Sequence, residues 1–161
     1  MTHVDPTRER FGAFKNLPQG EPVHMLNLVR LRDKAAYPDG RDATGREAYQ
    51  AYSRESGPVF RRLGGRQLWI GRPDVTLIGP EDERWDIAFI AEYPSGAAFI
   101  EMVRDPVYRE AVKHRQAAVA DSGLIRMKPG KPGAGFGEEQ LFASGPPILQ
   151  QRRLLGYFTS H

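Results

Sequence analysis

The chain has 161 residues, no cysteine and a formal net charge of +3. This length fits one domain with a core of its own, and the lack of cysteine excludes disulfides, thiolate metal sites and a cysteine nucleophile. The small charge forms no basic stripe and no apolar run reaches the roughly 20 residues that span a membrane, so we predict neither a nucleic-acid nor a membrane partner. The N-terminal segment lacks the apolar region of a signal peptide, which predicts a cytoplasmic protein.

Two terminal segments flank the predicted domain, which covers residues 22–127. Residues 1–21 are predicted to form an arm with a short helix that ends near Asn16, with Asp5 as the cap and Pro6 in the first helical position. Residues 128–161 are rich in glycine and proline but also carry many apolar side chains. A disordered tail is poor in such side chains, so we expect this extension to pack on the domain or on a partner subunit.

Six elements are predicted in the domain, and they follow in the order strand 23–32, helix 44–63, strand 66–79, strand 86–93, helix 95–120 and strand 122–127. Pro58 removes a backbone donor inside the first helix and predicts a kink there. Gly64 and Gly65 end that helix, because glycine adopts the left-handed conformation at low cost. The segment 66–79 forms one long strand or two short ones, since residues 71–74 interrupt its pattern.

This β-α-β-β-α-β order predicts an α+β fold of the ferredoxin-like, split-βαβ type, with two helices on one face of a four-stranded antiparallel sheet. The strand segments LNLV and IAFIA are apolar at successive positions rather than at alternate ones. Such continuous runs are typical of strands buried on both faces. Because the helices cover only one face, we predict that a second copy of the chain covers the other and that the protein is a homodimer.

The second helix is predicted to stop and restart at Asp105. Ser95 is a suitable cap for the first part, and Asp105 followed by Pro106 is a second cap with proline in the first helical position. Proline also disfavours helical geometry at the residue before it. We therefore expect a bend at this point, after which the second part follows a new direction over the sheet.

An arginine lies within the apolar stripe of that second part. Arg115 falls between residues that share one face of the helix, namely Tyr108, Ala111, Val112 and Val119. A buried guanidinium needs a partner, because an unpaired buried charge costs several kcal/mol. Three hypotheses remain open: an ion pair with a carboxylate such as Glu92, a cap on carbonyl groups near the helix end, or an anchor for an anionic ligand.

Three further residues are candidates for a ligand site. Asn27 interrupts the apolar first strand, either to complete a local hydrogen bond or to serve as a polar group in a pocket. Trp69 in the second strand is expected in the core more often than against a ligand. His114 lies at the flank of the apolar stripe, where it could move protons. The chain's four histidines lack metal-binding spacing, so no metal and no cofactor are predicted.

Several short motifs along residues 22–127 resemble one uncharacterised family. The motifs are MLNLVRLRD, Gly64-Gly65-Arg66, Gly71, the tripeptide YPS followed by Phe99, Asp105-Pro106-x-Tyr108, and Arg115. The family is the domain of unknown function numbered thirteen-thirty, in the dimeric α+β barrel superfamily. The resemblance implies a dimer in which two ferredoxin-like sheets pair face to face.

The superfamily contains cofactor-independent monooxygenases, haem-degrading oxygenases, muconolactone isomerase-like enzymes and binding modules. The set Asn27, Trp69 and His114 resembles the polar residues of the haem-degrading members. A shared fold does not decide among these activities, and whether the chain is an enzyme stays open. We predict a module that binds a small organic molecule between helices and sheet, with an anionic molecule among the candidates; the alternatives are a cofactor-independent enzyme, such as a monooxygenase or an isomerase, and a haem protein.

Overall fold

The structure is a computed structural model that describes residues 2–131, 133 and 135. The chain divides into two compact units, Met1–Met127 and Lys128–His161. All the described helices and strands belong to the first unit. The predicted packing of the C-terminal extension lies outside the described residues. No described helix is both long enough and apolar enough to cross a membrane.

The first unit contains four helices and four strands within the described residues. They are α1 Arg8–Lys15, β1 Val23–Leu31, α2 Gly45–Arg62, β2 Arg66–Gly71, β3 Ile87–Tyr93, α3 Gly96–Arg104, α4 Pro106–Ala118 and β4 Val119–Met127. The strands form one sheet in the order β2-β3-β1-β4, and every neighbouring pair is antiparallel. This is the ferredoxin-like arrangement, so the predicted fold class is confirmed.

The two faces of the sheet carry different neighbours. The face that we call the helix face carries Val23, Met25, Asn27 and Val29 of β1 opposite Tyr93, Ala91, Phe89 and Ile87 of β3. Side chains from α2 and α3 pack on it, including Val59, Phe99 and Met102. The opposite face, which we call the open face, carries Leu26, Leu28, Trp69, Ile90, Ile125 and Met127 among its apolar residues.

Local signals in the sequence account for both ends of α2. At its start, the Thr44 hydroxyl accepts from the Glu47 N–H, and the Glu47 carboxylate accepts from the Thr44 N–H, which forms a capping box. At its end, Gly64 has a φ of 81°, and the N–H groups of Gly64 and Gly65 donate to carbonyls of the last turn. The helix continues through Pro58, and the kink predicted there stays a prediction.

Three boundaries differ from the predicted ones. The segment 66–79 forms a strand only as far as Gly71, because Pro73 has no N–H to donate to a sheet. The last strand begins at Val119 rather than at residue 122, since the chain passes from α4 into extended geometry without a loop. The short helix α1 is capped by Thr7, whose hydroxyl accepts the Arg10 N–H, and not by Asp5.

Candidate functional site

The predicted restart of the helix is confirmed, and it positions the side chains of α4. The Asp105 carboxylate accepts the N–H groups of Val107 at 2.8 Å and Tyr108 at 3.2 Å. It also accepts from the Arg62 guanidinium at 2.6 Å, which ties the start of α4 to the end of α2. The Arg62 hydrogen bond holds the pKa of Asp105 below its usual range. Through this contact α4 is fixed beside α2.

A large cavity lies among the helix face, α2, α3, α4 and the N-terminal arm. Its volume is about 1420 Å³. The walls are mostly apolar and include Phe11, Met25, Phe89, Phe99, Met102 and Val112. Of the five candidate residues from the sequence, Asn27 and Arg115 line this cavity. Glu92, Trp69 and His114 do not line it.

Tyrosines supply polar groups to the cavity wall. The hydroxyl oxygens of Tyr52 and Tyr108 lie 3.1 Å apart, and Tyr49 lines the same cavity. Burial raises the pKa of Tyr49 and of Tyr108, and the positive charge of Arg115 opposes this rise only in part. Both tyrosines therefore stay protonated at neutral pH, where their hydroxyl groups can donate hydrogen bonds.

Arg115 is held by the N-terminal arm and by β4, and the predicted pair with Glu92 is wrong. Its guanidinium donates to the Val4 carbonyl and, at 3.1 Å, to the Ser122 hydroxyl. The nearest carboxylate oxygen among the described ion pairs is that of Asp5, at 4.0 Å. The side chain is only 13% exposed. The mostly buried guanidinium of Arg115 is thus hydrogen-bonded to neutral oxygen atoms rather than to a carboxylate.

Glu92 pairs with other residues because it points to the open face of β3. Its carboxylate lies 2.9 Å from His24 Nε2 and accepts from Arg66 Nε at 2.7 Å. The hydrogen bond from Arg66 is the main reason that the pKa of Glu92 is lowered. Side chains alternate between the faces of a strand, so Glu92 lies on the side of the sheet away from Arg115.

Asn27 makes the predicted local hydrogen bond and also lines the cavity. Its Nδ2 donates to the Met25 carbonyl at 3.0 Å. Trp69 is 53% exposed on the edge strand β2, so its expected place in the core is wrong. A strand at the edge has a neighbour on one side only, and no described helix covers the open face, where Trp69 lies beside Ile90.

His114 forms a separate polar group with the segment after β1 and with α2. Its Nδ1 lies 2.6 Å from the Tyr37 hydroxyl, and its Nε2 lies 2.8 Å from a Glu55 carboxylate oxygen. Asn27, Trp69 and His114 therefore face three different surroundings, and the geometry offers the haem hypothesis no common site. Within residues 2–131, no three histidine, aspartate or glutamate side chains come together to hold a metal ion.

The N-terminal arm forms part of the cavity wall, which the sequence did not reveal. The Phe14 ring packs on Phe99 with 4.9 Å between centroids. The Arg126 guanidinium lies 4.6 Å from the centre of the Phe14 ring and donates to the Phe14 carbonyl. Gln19 Nε2 donates to that carbonyl as well, at 2.9 Å. Arg126 is opposite Met25 and therefore lies on the helix face, whereas its neighbour Ile125 lies on the open face. A charged residue on the covered face is a signal that could have indicated a polar partner there.

Residues 41–127 match the sequence profile of a family described as a domain of unknown function, DUF1330. The chain belongs to this family. The chain strongly resembles another protein of unknown function, RPA0582 from Rhodopseudomonas palustris. The two are 65% identical, the match covers 82% of this chain and 100% of that one, and the TM-score is 0.79. The crystal structure of methylated RPA0582 is 66% identical in sequence, the match covers 83% of this chain and 98% of that one, and the TM-score is 0.80.

More distant solved structures include a dimeric protein of unknown function and ferredoxin-like fold from Bacteroides fragilis. It is 15% identical, with coverage of 70% of this chain and 99% of that one and a TM-score of 0.45. Similarity at this level carries no argument about the activity or assembly of the DUF1330 chain. A search of curated proteins finds no match.

Proposed function

We propose that this DUF1330 protein binds a small organic molecule in the cavity between the helices and the sheet. The ligand has an apolar, preferably aromatic, body and an acidic group. The observation that carries the proposal is a mostly apolar cavity of about 1420 Å³ with a nearly buried arginine in its wall. Ligand pockets typically combine such apolar walls with a few polar groups that orient the ligand.

The donors on the cavity wall support an acidic group on the ligand. A guanidinium has five N–H groups, and two of those of Arg115 go to the Val4 carbonyl and the Ser122 hydroxyl. The remaining N–H groups suit a carboxylate, which binds arginine through two parallel hydrogen bonds. The hydroxyl groups of Tyr52 and Tyr108 share one hydrogen bond, which leaves one O–H of the pair as a neutral donor on the same wall. An anion would also compensate the charge that Asp5, at 4.0 Å, balances only in part.

The protonated tyrosines argue against one form of the enzymatic alternative, in which Tyr49 or Tyr108 acts as a general base. Burial keeps the hydroxyl protons of Tyr49 and Tyr108 in place at neutral pH. A general base must instead be ready to accept a proton at the working pH. These side chains thus suit the recognition of a ligand's oxygen atoms better than the abstraction of a proton.

The tyrosine pair gives a direct test with 2-naphthoate, an aromatic carboxylate, as the probe. We expect the double substitution Tyr52→Phe and Tyr108→Phe to weaken 2-naphthoate binding about tenfold, because the hydroxyl donor of the pair to a charged group is lost. Isothermal titration calorimetry measures the change. Tyr37→Phe is the matched control, since it removes a tyrosine hydroxyl outside the cavity, and it should change the affinity less than about twofold. Equal losses in the two variants would rule out a role for the pair.

We also propose that the protein is a homodimer joined through the open face of the sheet. Ile125 and Trp69 are large apolar side chains of this face, and they are 50% and 53% exposed in the single chain. Leu26 and Leu28 of the central strand β1 lie on the same face. A contiguous apolar patch of this kind is typical of a protein interface. Two copies related by a twofold axis would bury the same patch on each chain.

Light scattering tests the dimer through a charge placed in the patch. We expect the wild-type chain to have the mass of a dimer at micromolar concentration, and Ile125→Glu to have the mass of a monomer, because a carboxylate buried without a partner is unfavourable. Val107→Glu is the control, since Val107 is 56% exposed at the start of α4, away from the sheet. A wild-type monomer, or a dimer that survives Ile125→Glu, would contradict the proposed interface.

A further inference from the structure

Four arginines border a second, smaller cavity at the end of β1. The cavity has a volume of about 430 Å³ and shares no lining residue with the larger one. The arginines are Arg30, Arg32, Arg46 and Arg84. Asp33 and Asp86 also line it, so the ionised side chains sum to a charge of +2. We call these six residues the arginine site.

Two close backbone contacts gather these residues from separate parts of the chain. A Cβ atom on Gly45 would lie 2.0 Å from the Arg32 carbonyl oxygen, so only glycine lets the start of α2 approach β1 this closely. This brings Arg46 beside Arg32. On the other side, Asp86 donates its N–H to the Val29 carbonyl at 2.8 Å and accepts the Leu31 N–H at 2.7 Å. That contact places the segment before β3, which carries Arg84, against the same strand.

Within residues 2–131, the four guanidinium groups take part in no hydrogen bond or ion pair, unlike that of Arg115. Exposed arginines elsewhere, such as Arg54, share this state, and the four differ from them because they line one cavity together. The Asp86 carboxylate is already engaged by the Leu31 N–H. Like charges around one cavity repel each other, and a bound anion would relieve that repulsion.

The N-terminal end of α2 is not expected to bind the anion through its backbone N–H groups. The Thr44 hydroxyl and the Glu47 carboxylate already cap that helix end. The charge on a ligand would therefore be met by side chains. Guanidinium groups from four chain positions can approach an anion from several directions, which suits the tetrahedral oxygens of phosphate better than the flat oxygens of one carboxylate.

We propose that the arginine site binds the phosphate groups of a small soluble molecule, such as a diphosphate or a phosphate ester. The volume of about 430 Å³ falls within the range of small-molecule sites. The chain would then bind two ligands of different chemistry, an organic acid among the helices and the sheet and a phosphate compound at the end of β1. The second site stands on its own residues and does not depend on the first.

Calorimetry with inorganic pyrophosphate at low salt tests this site. We expect the double substitution Arg46→Gln and Arg84→Gln to weaken pyrophosphate binding at least about tenfold, since two charge-assisted contacts are lost. The matched control is Arg54→Gln with Arg104→Gln, which changes the net charge equally at exposed arginines that line neither cavity. It should change the affinity by less than about twofold. The melting temperatures without ligand confirm that both variants fold.

Three results would overturn the proposal. The first is wild-type protein that does not bind pyrophosphate at millimolar concentration. The second is an equal loss of affinity in the two double variants, which would indicate attraction by net charge alone. The third is binding to phosphatidylcholine vesicles that contain phosphatidic acid without any binding of pyrophosphate, which would assign the site to a lipid headgroup rather than to a soluble compound.

Discussion

Replacing Arg115 with methionine is expected to weaken 2-naphthoate binding by about ten- to a hundredfold. Hydrogen bonds to a charged group contribute roughly 1.5–3 kcal/mol, and each 1.4 kcal/mol corresponds to about a factor of ten in affinity. Methionine keeps much of the apolar volume of arginine, so the cavity wall stays filled while the charge is removed. Isothermal titration calorimetry measures the dissociation constants of both proteins.

The same substitution also removes the contact between Arg115 and the N-terminal arm, so a second variant separates the two effects. Ser122→Ala deletes a hydroxyl that accepts from Arg115 and donates to the His3 carbonyl at 2.7 Å. It loosens the arm but leaves the guanidinium in place. We expect Ser122→Ala to change the affinity less than about threefold. A loss as large as that of Arg115→Met would show that the arginine acts through the arm and not on the ligand.

Replacing Gly45 with alanine is expected to destabilise the chain by about 3 kcal/mol, at the upper end of the range for overpacking. The new methyl group would lie 2.0 Å from the Arg32 carbonyl oxygen. Backbone atoms cannot move aside as the end of a flexible side chain can, so the start of α2 must shift away from β1. For a chain of this size we expect the melting temperature to fall by about 6–12 °C, measured by calorimetry.

Gly12→Ala is the matched control for that substitution. Gly12 lies inside α1, and a Cβ atom there would meet nothing within 4 Å. Alanine is favoured over glycine in a helix by about 1 kcal/mol, so the melting temperature should stay the same or rise slightly. If Gly45→Ala melted at the wild-type temperature, the close approach of α2 to β1 would be contradicted, and with it the position of Arg46 in the arginine site.

Local patterns in the sequence were enough to predict the fold. The apolar runs of the strands, the Gly64-Gly65 pair and the cap at Asp105 are each local features of a few residues, and the structure places the element ends at or near them. The apolar stripe of α4 correctly indicated that Arg115 is turned inward. Such features depend on backbone geometry close to the residue itself, which a sequence shows directly.

Partners from distant parts of the chain could not be predicted in this way. Arg115 donates to the carbonyl of Val4, 111 positions away, and the carboxylate proposed for it, Glu92, is on the opposite face of the sheet. The exposure of Trp69 depends on β2 being an edge strand, which the order of elements along the chain does not state. Tyr49 and Tyr52 lie within the predicted helix 44–63, but the cavity that they share with Tyr108 requires the packing of α2 against α4.

Methionine methyl groups report most directly on whether the larger cavity binds the ligand. The chain has four methionines; Met25 and Met102 line the cavity, and Met127 lies on the open face beside His24. In protein labelled with 13C at these methyl groups, saturating 2-naphthoate should shift the NMR signals of Met25 and Met102 and leave that of Met127 in place. Unmoved signals from Met25 and Met102, or a shift of Met127 alone, would contradict binding between the helices and the sheet.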